Sequence, residues 1–157
     1  MKPWKLLTIL LMIGALVACA TGQRRVSEPT ASLQQLSVSA DGTWSVDLRL
    51  QNYSSIPMRF ESLRFTLSVD GESAGILDAT PALTIGPESA DILSLRLAPS
   101  PEGRLHAADA LAAGRALPYR IDGTIRAAPD DRGSARDYTI RRDSTLAPVP
   151  GLPGVMR

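Results

Sequence analysis

The sequence predicts an all-β fold, a β-sandwich of seven or eight short strands with one short helix late in the chain. Three observations predict it. From Leu33 onward apolar and polar residues alternate, the mark of half-buried strands. Gly, Pro and Asp-Gly steps break that alternation at intervals of roughly 8–12 residues, the punctuation of a sandwich. A single alanine-rich stretch has helical rather than strand spacing. A closed barrel would satisfy the same strand count.

Residues 1–18 read as an address rather than part of the fold. They carry both lysines of the chain, Lys2 and Lys5, ahead of an apolar run from Leu6 to Val17 broken only by Thr8 and Gly14. A run of about a dozen residues suits a signal-peptide core and is too short to span about 30 Å of hydrocarbon. It ends in Leu16-Val17-Ala18-Cys19, which resembles the lipobox of bacterial lipoproteins. That resemblance implies a diacylglycerol on the Cys19 thiol, cleavage before Cys19 and acylation of the new amino group. The anchor would be firm, because two or more acyl chains hold where one is marginal, at about 0.8 kcal/mol per buried CH₂. An ordinary secretory signal and an uncleaved helix are the alternatives. The only Cys of the chain stands where the apolar run stops, and this favours lipidation. Ala20 follows it; an Asp there resembles an inner-membrane retention signal in enteric-type bacteria. The expectation is therefore a lipid anchor on the periplasmic side of the cell outer membrane, with the inner membrane as the alternative.

Residues 19–31 are expected to be a lipidated tether, polar apart from Val26. Arg24-Arg25 could touch anionic head groups, but two such charges contribute only about 1 kcal/mol each. A solvated linker is the plainer reading.

The domain is expected over residues 32–146. Leu33, Leu36 and Val38 begin a first strand that turns at Asp41-Gly42, a tight hairpin signal because Gly accepts positive φ. The return strand places Trp44, Val46, Leu48 and Leu50 on one face and Ser45, Asp47, Arg49 and Gln51 on the other. Trp44, in phase with Val46 and Leu48, belongs to the core. A polar bend, Asn52 to Pro57, follows; Asn52 is expected to bond the bend backbone as an Asx turn. In the next strand, Met58 to Val69, Phe60 is out of phase with Leu63, Phe65 and Leu67, which predicts a bulge near Glu61-Ser62. Asp70-Gly71 turns into a short strand around Ala74 to Leu77. Leu83 and Ile85 precede a Gly86-Pro87 break, and Ile92 to Leu97 forms a further strand. Gly103 to Ala116 is the helix, with six alanines and an inner face of Leu105, Ala108, Leu111 and Ala112. Tyr119 to Ala127 returns to strand, with a bulge expected at Gly123, and a last strand covers about Ala135 to Arg141. Residues 147–157, rich in Pro and Gly, read as an extended, frayed tail.

With the strands placed, a family likeness emerges. Leu48-Arg49-Leu50-Gln51-Asn52-Tyr53-Ser54, then Ile56-Pro57-Met58, Gly71 and Gly75, and Tyr119-Arg120-Ile121-Asp122-Gly123 resemble the LEA type 2 family, or WHy domain. The likeness covers roughly Ser32 to Thr145. Of the family's Asn-Pro-Asn tripeptide the chain keeps the first Asn, Asn52. The resemblance implies a seven-stranded fibronectin-III/immunoglobulin-like sandwich with one helix and an association with desiccation, cold or salt stress. It implies no enzyme, and its bacterial members are often exported lipoproteins.

Composition narrows the chemistry. With 17 basic against 16 acidic residues the chain lacks the excess of a phosphate-driven nucleic-acid binder. One Cys and one His exclude an internal disulfide and a Cys/His zinc site. Once residues 1–18 leave, no lysine remains for Schiff-base chemistry. His106 and Asp109 would share a helix face but lack further ligands, so a solvated or capping His106 is the simpler role. Ser94 or Ser100 with His106 lacks a Gly-x-Ser-x-Gly elbow. Asp122, Asp130, Asp131 and Asp137 lack EF-hand spacing and read as turn residues. Arg141-Arg142-Asp143 is expected at the solvent-facing end of the last strand. The expectation is thus no catalytic residue, no metal and no cofactor. Cys19 is the one assigned site, and its partner is membrane lipid. Envelope proteins are further partners; nucleic acid is not. The function expected is a stress-related protective or binding module. The alternative is an accessory subunit of an envelope transport or secretion assembly.

Overall fold

The computed structural model describes residues 24–130 and 133–157. Cys19, the signal segment and Asp131 lie outside them. Two antiparallel sheets form the body. One holds β1 (Thr30–Val38), β2 (Trp44–Gln51), β6 (Ala90–Leu97) and β9 (Val155–Met156), in the order β6-β2-β1-β9. The other holds β3 (Met58–Val69), β4 (Glu72–Ala79), β7 (Leu117–Pro129) and β8 (Arg136–Leu146), in the order β4-β3-β7-β8, with β5 (Leu83–Ile85) also paired to β3. Helix α1 (Pro101–Ala113) joins the two sheets. The seven-strand expectation is corrected to nine strands among the described residues. The additions are explained by length: β5 and β9, of three and two residues, are too short to show alternation.

The core follows from period two. Trp44, Val46, Leu48 and Leu50 are fully buried along β2, facing Phe60, Phe65, Leu67 and Ile121 of the other sheet. Each such side chain contributes about 1.5–3 kcal/mol by leaving water. Trp44 Nε1 is buried without a hydrogen-bond partner among the described residues. The expected bulge in β3 is present: pairing with β7 skips Glu61, between Phe60 and Ser62, so Phe60 and Leu63 both reach the core. The same device lies in β1, where the register jumps between Leu33 and Gln35 and keeps Leu33 and Leu36 both inside.

Four expectations need correction. Gly123 is no bulge, because its pairing with Phe65 and Ile140 continues the registers on both sides. Glycine is required there by close approach: a Cβ would lie 2.0 Å from the Arg64 carbonyl oxygen. The inner face of α1 is not the leucine-bearing one, since Leu105 is 69% exposed while Gly103, Ala107 and Ala110 are buried. Small residues face inward because the helix lies almost against β4; a Cβ on Gly103 would come within 2.9 Å of Ala74 Cβ. The tail is not frayed. β9 pairs with β1, Ala147 and Arg157 exchange backbone hydrogen bonds of 2.6 and 2.9 Å, and Met156 is fully buried. Finally, the stretch expected as a loose tether is held where it is described: β1 already starts at Thr30, Arg25 and Ser27 hydrogen-bond to the bend after β2, and Pro29 is buried.

Candidate functional site

The site is built around the bend after β2. Asn52 directly follows that strand in a fully buried position, where an unpaired amide would cost heavily. Its Nδ2 donates to the carbonyl oxygens of Ile56 at 2.9 Å, Ile85 at 3.1 Å and Gly86 at 2.8 Å. Its Oδ1 accepts from the Ser54 N–H at 2.8 Å, the expected Asx turn. The backbone N–H of Asn52 donates to the Ser89 carbonyl at 2.8 Å. One side chain thus fastens the bend to the loop after β5.

The bend in turn holds the segment before β1. Ser54, also fully buried, accepts from the Ser27 N–H at 3.0 Å and donates to the Ser27 carbonyl at 3.2 Å. Arg25 N–H donates to Ser55 Oγ at 2.8 Å, and its guanidinium reaches the Tyr53 carbonyl and Glu88 Oε1, each at 2.9 Å. Arg25 is therefore a fastener of the fold rather than a free linker charge. The segment continues through buried Pro29 into β1.

That course makes one wall of a groove of about 420 Å³. Glu28 and the start of β1 line one side, residues 139–142 of β8 another, and Arg49, Gln51 and Tyr53 a third. Arg49 donates to Gln51 Oε1 at 3.0 Å, and Gln51 donates to the Ser89 carbonyl at 3.2 Å. Arg141 pairs with Asp122 at 2.6 Å. The dipeptide Arg141-Arg142 thus sits mid-strand, lining the groove, and not at the solvent-facing end of β8.

The other singled-out residues lie elsewhere. His106 Nδ1 is 3.1 Å from Asp70 Oδ2, in the turn between β3 and β4, while Asp109 pairs with Arg115 at 2.6 Å. Sharing a helix does not bring His106 and Asp109 to one ligand. That Asp109 contact raises the pKa of Arg115 above its ordinary value. Ser100 caps α1, accepting from Gly103 N–H at 3.0 Å and donating to the Ser73 carbonyl at 2.8 Å. Ser94 Oγ donates to Asp47 at 2.6 Å. Neither serine meets His106. Asp130 pairs with Arg59, Asp137 with Arg126 and Asp143 with Arg120, so these acids balance arginines across the sheet surface. Among the described residues no group of three or more His, Cys, Asp and Glu could hold a metal ion, and no helix is long and apolar enough to cross a membrane.

The sequence model of the LEA_2 family, described as late embryogenesis abundant protein, matches residues 47–137. No curated protein matches the chain. Among solved structures, a Bordetella pertussis protein given the name ApaA aligns at 13% identity with a TM-score of 0.50, over 83% of this chain and 100% of its own. A protein from Archaeoglobus fulgidus aligns at 15% identity and a TM-score of 0.42, over 80% of this chain and 98% of its own. A late embryogenesis abundant protein solved in solution aligns at 11% identity and a TM-score of 0.48, over 98% of this chain and 86% of its own. The Bordetella likeness is one of fold alone.

Proposed function

The chain belongs to the LEA_2 family of late embryogenesis abundant proteins, and from that premise we propose a stress-protective binding module held by lipid at the periplasmic face of the outer membrane. The family match carries this reading: LEA_2 proteins are generally not enzymes, and a protective role under stress fits them. The lipobox ending in Cys19 supports the anchor, and Ala20 supports the outer membrane as its destination. Protection then works by surface contact. A rigid sandwich offers partly unfolded clients its unpaired edges, β6 and β8, where strand addition can occur.

Two measurements test the reading. Intact mass of the purified protein should report cleavage before Cys19 and added acyl chains, both absent from Cys19→Ser. An unmodified Cys19 overturns the anchor. Drying a labile enzyme with an equimolar amount of the protein should preserve its solubility. Aggregation equal to that without the protein overturns the protective role, and a stoichiometric partner in detergent extracts would move the function to an envelope assembly.

A further inference from the structure

We propose that the groove between β1 and β8 binds a phosphoryl oxyanion through Arg49 and Arg142. Across the second sheet, Arg59, Arg64, Arg120, Arg126 and Arg141 each reach a carboxylate. Among the described residues Arg136 and Arg142 of that sheet reach none, and of the two Arg142 lines the groove, while Arg49 meets the neutral amide of Gln51. The exposed guanidinium groups of Arg49 and Arg142 line the same groove. Arg142 stands in register with the inward-facing Ile121, yet it is exposed because β8 is the edge of its sheet. A planar guanidinium suits phosphate oxygens by forming two parallel N–H···O bonds, and two of them neutralise a dianion.

The backbone adds donors. β9 covers β1 only at Leu36 and Ser37, so the start of β1 has no strand on that side. β8 pairs only with β7. Two bare strand edges thus border the groove, and alternate N–H groups of each point away from their own sheet. Arg141 is already balanced by Asp122. The remaining carboxylate, Glu28, opposes an anion and fixes a sign: removing its charge must tighten binding.

The oxyanion can be free phosphate or the phosphate of a lipid head group. Groove chemistry stands independently of the anchor; proximity to lipid rests on acylation at Cys19, six residues before Arg25 and so within about 20 Å of it when extended. The test uses the full protein in neutral detergent micelles, followed by amide NMR shifts. Titration with inorganic phosphate should move signals of residues 28–32 and 139–142 saturably. Doping the micelles with phosphatidylglycerol, but not phosphatidylcholine, should move the same signals if the source is lipid. The double variant Arg49→Gln/Arg142→Gln should weaken binding at least tenfold at unchanged melting temperature, and Glu28→Gln should strengthen it severalfold. Absence of saturable shifts with either anion, or undiminished binding by the double variant, overturns the site. Failure of acylation leaves the phosphate titration readable.

Discussion

The two ends of β3 fasten non-strand segments to the sandwich in opposite ways. At the Met58 end a fully buried amide, Asn52, joins the bend to the loop after β5, and buried Ser54 ties in the segment before β1. At the Val69 end the helix rests on β4 through small residues, with the N–H of the capping Ser100 donating to the Ala74 carbonyl and a rim of half-exposed ion pairs around Asp70. The first end depends on hydrogen bonds that water cannot replace. The second depends on shape, and its charges remain solvated. The lesson is that similar numbers of polar contacts carry very different energies according to what surrounds them.

Asn52→Ala offers the strongest test. It removes a buried donor to the Ile85 carbonyl, the acceptor of the buried Ser54 N–H and part-buried bonds to the Ile56 and Gly86 carbonyls, of which Gly86 keeps the Ser89 hydroxyl; the expected loss is roughly 2–4 kcal/mol in urea unfolding. A loss near that of a surface substitution would erase the contrast. Next comes Gly103→Val, which drives a Cβ to 2.9 Å from Ala74 Cβ and 3.0 Å from its Cα. The expected cost is about 1–3 kcal/mol, read as a lower urea midpoint. His106→Ala should change stability by less than about 1 kcal/mol, because its bond to Asp70 is part-solvated; a larger loss would make the ion-pair rim structural. The smallest effect concerns pH. The Thr43 N–H, followed by its hydroxyl, holds the Asp41 carboxyl below its ordinary value of 3.8. A lowered folded pKa means that the contact contributes fully above that value and is lost as pH falls beneath it. The protection factor of the Thr43 amide, its exchange relative to the intrinsic rate at each pH, should therefore fall on acidification through that range, with no matching fall at Ser54.

Much of the first end was legible in the sequence. Asn52 closes an alternating strand and precedes a Pro-bearing bend, so its bonding to the backbone followed from residue chemistry. The three-residue steps Phe60 to Leu63 and Leu33 to Leu36 signalled bulges, though only the first was read as one. The helix misled because hydrophobicity pointed to Leu105, whereas close packing selects the smallest residues. Its Ser100-Pro101 start was a readable capping signal, since Pro suits the first helical position. The groove was hidden for another reason. Arg49 and Arg142 belong to different sheets and are far apart in the chain, and only the sandwich closure brings them to one place. Nor did composition reveal that Arg25 is a fastener, because its partners come from the bend and from Glu88.

The place of β1 between β2 and β9 has a mechanical consequence. A pull on the amino-terminal side first meets the bonds of Arg25 and Ser27 to the bend and then β1, whose eight paired positions with β2 run along the strand. Force along β1 loads all of those rungs together, whereas force along the antiparallel β9 loads only its two and the neighbouring bonds between Arg157 and Ala147. The domain is therefore built to resist tension applied from its amino-terminal side far better than tension applied from the opposite terminus.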